Sequence, residues 1–457
     1  MCRYFVSFRI CSRFFKVDTM SFTKKEQLKD PNYLPPLHLA IPLGIQHVLA
    51  MFISNITPAI IISLAAGFTF GSPEMVYMIQ MVMTFAGIAT LLQTVGLGPV
   101  GARLPIVQGT SFAFLPIMIP LVKIAGISAL YGSIMLSGIF HFFLGTVIGR
   151  IRNFLPPLVT GIVVLTIGLS LIPIGIQYAA GGVPLMGTEE FGSMQHWGLS
   201  LTVLFVTLIL KFFGRGMLST ASVLIGLIVG YLVAISMGMV NFSHIENAAW
   251  FAMPTPLHFG FELSLSSVFA MSLMAFVSAI ETVGDVSGIT QGGAGREATE
   301  KEIAGATMAD GLGTTLGAFF GALPNTSFSQ NVGLVSMTGV MSRHVVTIGA
   351  LFLIMAGLVP KVGAVISAMP IAVLGGSVIV MFGMVISAGI NMLSDVVWNK
   401  RNMLILALAL SIGLGFQAVP EALQHLPGTT KILLTSGILP AALIAIILNM
   451  ILPEELG

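Results

Sequence analysis

The chain has 457 residues, 56% of them hydrophobic and 8% charged, with a formal net charge of +2. Soluble domains carry about 25% charged residues, so this composition excludes a soluble globule and indicates a polytopic membrane protein. The near-neutral charge gives no argument for nucleic acid, and both cysteines, Cys2 and Cys11, lie in the N-terminal leader, which leaves the body without a disulfide framework or a cysteine metal site.

Residues 1–19 are basic and partly aromatic. They read either as an amphipathic or targeting segment or as residues ahead of a true start at Met20, since Met20-Ser21 opens an ordinary polar tail. Hydrophobic runs and turn signals then give fourteen candidate segments, near 38–57, 75–95, 106–122, 129–149, 158–178, 198–213, 218–240, 264–284, 302–321, 329–341, 344–359, 364–389, 403–419 and 432–452. Two are too short to cross about 30 Å as plain helices. The third is broken by Pro116 and Pro120, and the tenth is rich in Ser, Thr and Gly.

Loop charge supports the count. With the N-terminus inside, seventeen of the 20 Lys and Arg residues fall on the cytoplasmic side, and only Lys123, Lys361 and Lys431 fall outside. Removing one segment inverts every later loop and erases the asymmetry.

An internal repeat joins the two short segments. Gly96-Leu97-Gly98, Leu104-Pro105 and Gly109-Thr110-Ser111-Phe112 recur in order as Gly311-Leu312-Gly313, Leu323-Pro324 and Asn325-Thr326-Ser327-Phe328. They stand seven positions apart in the order of segments, so the halves have opposite orientation. Paired interrupted segments in corresponding positions point to a transporter's binding site.

Titratable residues inside the apolar runs are few. Glu281 in the eighth segment has no other charge for 18 residues on its N-terminal side. A carboxylate in a bilayer costs several kcal/mol, roughly 2.5–3.5 on insertion scales, unless it faces a cavity or a partner. It reads as a ligand for substrate N–H groups, a proton carrier or both, against a structural acid paired inside the bundle. Asp285, one turn on, shares its face and reads as a site or a helix-end residue. Asp310 in the ninth segment reads as a structural lock on a small-residue face, or as a proton carrier. His47, after Gln46 in the first segment, is a satisfied core residue or a coupling residue beside the acids. Gln330 and Asn331 each offer one acceptor and two donors, which suits a planar heterocycle with alternating N–H and C=O groups; helix capping is the alternative. Phe112 and Phe114 are placed to cover such a ring. The Gly-rich string Gln291–Gly295 has no phosphate-binding lysine in register and reads as a loop. No nucleotide-binding or HExxH motif occurs, so neither an enzyme nor an ATP-driven pump is expected, and no cofactor or metal.

The string Gln330-Asn331-Val332-Gly333-Leu334-Val335-Ser336-Met337-Thr338-Gly339 resembles the signature of the nucleobase–ascorbate transporter family. Gln46-His47, Glu281-Thr282-Val283-Gly284-Asp285 and Asp310 fit the same family, over residues from about 35 to the end. The resemblance implies an all-α membrane protein of fourteen segments in two inverted repeats of seven, like the uracil permease, with the third and tenth segments each an extended stretch and a half-helix. It implies a cytoplasmic tail (1–34), a core domain (35–152 and 263–360) and a gate domain (153–262 and 361–457) that dimerises. It further implies that Glu281 and Gln330 bind a base through side chains and Phe112 and Ser329 through backbone groups, with His47, Asp285, Asp310 and Asn331 in support. Gln at the first signature position resembles the xanthine and uric acid transporters, whereas uracil permeases more often carry Glu. The expected function is proton symport of such a purine across the bacterial inner membrane, with both termini cytoplasmic. A uracil or general nucleobase symporter, and an anion transporter of the related sulfate/bicarbonate fold, are the alternatives.

Overall fold

The computed structural model describes residues 27–151, 156–240, 242, 245–246, 248–394 and 396–453. The leader cysteines, residues 1–19 and most of the expected cytoplasmic tail lie outside the described residues. The described chain is mostly helical, with two three-residue strands. In order, the elements are α1 (Leu37–Ala65), α2 (Pro73–Val95), β1 (Gln108–Thr110), α3 (Leu115–Ile151), α4 (Pro157–Ala179), α5 (Met194–Phe213), α6 (Met217–Thr220) and α7 (Ser222–Ser236). They continue with α8 (Leu265–Ile289), α9 (Glu300–Phe319), β2 (Asn325–Ser327), α10 (Ser329–Thr338), α11 (Arg343–Gly357), α12 (Pro360–Ser367), α13 (Ile371–Leu393), α14 (Lys400–Ala418), α15 (Gly428–Thr435) and α16 (Ile438–Ile451).

Among the described residues eight helices are long and apolar enough to cross a membrane, and the bent pair α11–α12 makes a ninth span if taken as one. The protein is therefore a multi-pass membrane protein. Local sequence explains the helix starts. Ser72 accepts from Met75 N at 3.3 Å, with Pro73 in the first turn of α2. Thr299 and Glu302 form a reciprocal capping box at α9.

Several boundaries differ from the sequence reading. Helix α1 runs on to Ala65 rather than ending near 57, because Pro58 is accommodated inside it. The third segment is interrupted ahead of its prolines, at β1 and the one-turn 3-10 helix Phe112–Phe114; Pro120 lies inside α3. The break within α3 is at Gly126, with φ 84°. The twelfth segment, expected as one run over 364–389, is split between α12 and α13 at Pro370, and α11 meets α12 at a 78° bend. The last segment breaks at Gly437, whose φ of 76° favours glycine. Gln291–Gly295, expected as a loop, continues α8 as a π-helical turn through Ala294, with Gly293 buried.

Packing follows small residues. Helix α3 lies on α9 so closely that a Cβ on Gly311 would come 2.2 Å from Phe142 N. Helices α1, α2 and α11 pack on one another, and α2 also touches α9 and α12. Elsewhere α4 packs along α13, α5 against α7 and α13, and α14 against α16. The strands β1 and β2 pair antiparallel, with Gln108 opposite Ser327 and Thr110 opposite Asn325. The pairing extends by Ser111 N to Pro324 O at 2.8 Å and Phe328 N to Val107 O at 3.0 Å.

Candidate functional site

In a bilayer each backbone N–H and C=O of an extended segment must find a protein partner. Here the two strands bond to each other, and buried side chains of the flanking helices take outward-facing N–H groups on both. Gln108 N donates to Thr90 Oγ1 of α2 at 2.9 Å, and Thr110 N donates to Asn55 Oδ1 of α1 at 2.8 Å. On the other strand, Asn325 N donates to Thr314 Oγ1 of α9 at 2.9 Å, and Ser278 Oγ of α8 donates to Thr326 Oγ1 at 3.1 Å. Gly109 permits the crossing, since a Cβ there would lie 2.3 Å from Phe328 Cε2.

Three carboxylates surround this crossing. Asp285 is fully buried on α8, and its two oxygens accept from Ser327 Oγ and Ser329 Oγ, both at 2.7 Å. It is not a free helix-end acid: α8 continues past it to Ile289. Asp310, also fully buried, accepts from Gln108 Nε2 at 2.5 Å and Gln93 Nε2 at 3.1 Å on one oxygen, and from Thr282 Oγ1 at 2.5 Å on the other. It ties β1, α2 and α8 to α9. Glu281 differs from both. It is 9% exposed, and its Oε2 is buried with no hydrogen-bond partner.

The remaining candidate residues lie on the adjoining elements. Asn331 Nδ2 donates to the His47 carbonyl at 3.1 Å and lies 3.0 Å from His47 Nδ1, which joins α10 to α1. Its Oδ1 is buried and unpaired, as is Oε1 of Gln108. Gln330 is half-buried in the first turn of α10, and its side chain bonds to nothing among the described residues. Ser329 precedes it with its hydroxyl on Asp285. Phe112 is buried where the chain leaves β1, edge-on to Phe382 of α13 at 5.4 Å and 88°; Phe114 is buried beside it. Gln46, next to His47, bonds instead to Thr220 of α6 at 2.7 Å.

Asn55, Gln93 and Gln108 escaped the sequence reading, and Thr282 and Ser327 entered it only as members of longer strings, without a role. A signal existed for the first two, since an uncharged amide inside an apolar helix also demands a partner. Nothing local marks Gln108, whose importance depends on a strand pairing formed across the whole repeat.

A family model described as a permease family matches residues 38–422. The chain is 37% identical to a xanthine permease of Bacillus subtilis, over 90% of this chain and 93% of that protein. It is 36% identical to the uric acid permease PucJ of the same organism, covering 89% and 91%. It is 35% identical to the xanthine permease XanP of Escherichia coli, covering 92% and 93%. Among solved structures, the transmembrane domain of the cyanobacterium bicarbonate transporter BicA aligns with TM-score 0.53 and 15% identity, over 90% of this chain and 97% of that one. The murine Slc26a9 anion transporter in its inward-facing state aligns with TM-score 0.59 and 14% identity, over 98% and 77%. At those identities the likeness is one of fold.

Proposed function

The chain belongs to the nucleobase–ascorbate transporter family, and on that footing we propose that it is a proton-coupled symporter of xanthine or uric acid. It is a transporter and not an enzyme. The observation that carries the substrate class is the chemistry of the unpaired atoms. Glu281 Oε2, Asn331 Oδ1 and Gln108 Oε1 are all acceptors, all buried and all without a donor. A buried acceptor left unpaired costs about 1–3 kcal/mol, so each of these atoms favours a ligand that brings it an N–H group. An oxidised purine is such a ligand; sulfate or chloride brings no donor, and bicarbonate only a single O–H. Glu281 is assigned the ring N–H groups, and Gln330, with its uncommitted amide, a carbonyl and an adjacent N–H. Phe112 and Ser329 are assigned backbone contacts, with Phe112 also against the ring face.

The reading extends to architecture. Fourteen segments form two inverted repeats. Residues 35–152 and 263–360 make the core domain, and 153–262 and 361–457 the gate domain, which dimerises. Both termini face the cytoplasm of a bacterial inner membrane. His47, Asp285, Asp310 and Asn331 hold the site and serve coupling. Uptake of radiolabelled xanthine, urate and uracil by cells lacking their own permeases tests the substrate. Accumulation of xanthine or urate is expected; uptake of uracil alone would move the protein to the uracil branch, and anion currents without base uptake would refute the proposal.

A further inference from the structure

At the end of the bundle where α2 terminates, a cleft of about 490 Å³ opens between the α2–β1 loop, the start of α9 and the start of α11. Arg103, Arg296, Arg343 and Glu302 line it. Three guanidinium groups face one carboxylate, and the bonding assigns that carboxylate to one of them, which leaves two guanidinium groups without a counter-charge among the described residues. Glu302 accepts from Arg296 through two bonds, at 2.9 and 2.5 Å. It also accepts from Thr299 N at 2.8 Å and Thr299 Oγ1 at 2.9 Å within the cap of α9. That carboxylate is therefore committed.

Arg103 and Arg343 have no carboxylate within ion-pair distance among the described residues. Arg343 is nevertheless held in place. Its Nη1 donates to Thr94 O at the end of α2 at 2.7 Å, and its Nε to Asn32 Oδ1 at 3.0 Å, which leaves Nη2 uncommitted. Among the described residues the guanidinium of Arg103 makes one long contact, 3.4 Å to Gly98 O.

The backbone beneath Arg103 is unusual. Its φ is 56°, a left-handed conformation that only one other non-glycine residue, Leu257, adopts among the described residues. Its N–H donates to Gln93 O at 2.8 Å, and Gly101 beside it has no room for a Cβ, which would lie 2.0 Å from Leu92 O. Strain of this kind persists only where the surroundings enforce it, and it clusters at ligand clamps.

We propose that this cleft binds a phosphate group, gripped by Arg103 and Arg343, while Arg296, held by Glu302 and the Glu297 carbonyl, forms one wall. The planar guanidinium fork of Arg103 can hold two phosphate oxygens at once and Nη2 of Arg343 a third, and the cleft has room for more than the bare ion. Two sources present this chemistry: the headgroup of an anionic phospholipid and a soluble phosphorylated metabolite. The site adjoins the transport machinery, because Ala102 N donates at 3.2 Å to Gln93 Oε1, and Gln93 in turn holds Asp310.

The test uses the purified full-length protein in detergent, titrated with sodium phosphate at constant ionic strength set by chloride, with thermal unfolding as the readout. A saturable rise in the unfolding midpoint is expected, with affinity reduced about tenfold or more in Arg103→Gln and in Arg343→Gln and unchanged in Lys123→Gln. Arg103→Lys, which keeps the charge but loses the fork, covers the case of a Gln variant that fails to fold; it should bind more weakly than the parent. Native mass spectrometry after extraction from phosphatidylcholine vesicles containing phosphatidylglycerol separates the sources. A lipid retained by the parent and lost in Arg103→Gln assigns the headgroup, and a phosphate response with no retained lipid assigns the soluble ligand. Equal midpoints in phosphate and chloride, together with equal lipid retention by parent and variants, would overturn the proposal.

Discussion

Glu281, Asp285 and Asp310 are chemically alike and structurally unlike. The oxygens of Asp285 and Asp310 are occupied by hydroxyl and amide donors of the protein, whereas Oε2 of Glu281 is not. Mutations should separate them. Glu281→Gln keeps the shape and removes the charge and the titration, so coupled uptake should fall by about tenfold to a hundredfold, the range of one charged hydrogen bond, while membrane insertion is kept. Near-normal accumulation would remove the carboxylate from the mechanism. Asp310→Asn instead replaces an acceptor oxygen with an N–H₂ facing other donors. A loss of about 1–3 kcal/mol in stability is expected, read as lower surviving protein after heating in detergent. If stability is untouched, Asp310 is not a structural strut. At Gln330, substitution by Glu removes both donors and adds a second acid near Glu281, so xanthine and urate uptake should collapse. Unchanged uptake would remove Gln330 from the site.

At the scale of elements, the crossing of β1 and β2 decides where every candidate side chain goes. The two strings that form it were legible as a repeat, but their pairing was not, since residues 108–110 meet 325–327 across nearly half of the chain. The partners of Asn55, Gln93 and Thr314 were likewise illegible, because they belong to other elements. The breaks at Gly126 and Gly437 were hidden because a glycine in an apolar run gives no sign of its φ. Gly109→Val should disrupt the crossing by overpacking against Phe328, costing about 1–3 kcal/mol, and should lower both stability and uptake. Equal stability would mean that Phe328 moves aside freely.

The loop from α7 to α8 carries a second element-scale prediction. His258 stacks on Tyr77 at 3.7 Å and 19°, and Thr255 N donates to Tyr77 Oη at 2.9 Å. Burial lowers the His258 pKa below its ordinary 6.5, opposed by the negative charge of Glu74. The docked loop therefore prefers the neutral ring. Its stabilisation is present above pH 6.5 and is lost as pH falls through the depressed value. Hydrogen-exchange protection of residues 255–260, corrected for intrinsic rates, should fall with acid in the parent and not in His258→Phe. The same fall in both would exclude His258 as its cause.

At the scale of the molecule, the class was the most legible feature, because an 8% charged chain with apolar runs has few folds open to it. Segment positions followed from hydropathy, while bends such as the 78° turn between α11 and α12 depended on packing that hydropathy does not encode. The proposed transport cycle moves the site between the two faces, with the titratable cluster carrying a proton alongside the base. A desolvated acid takes up a proton more readily and releases it once rehydrated, which links the two fluxes. Initial uptake of radiolabelled xanthine or urate, measured against external pH, with a protonophore and with Na⁺ replaced by choline, tests this most directly. Uptake should rise with external acid, collapse with the protonophore and ignore the choline replacement. A strict Na⁺ requirement that survives loss of the proton gradient would contradict proton symport.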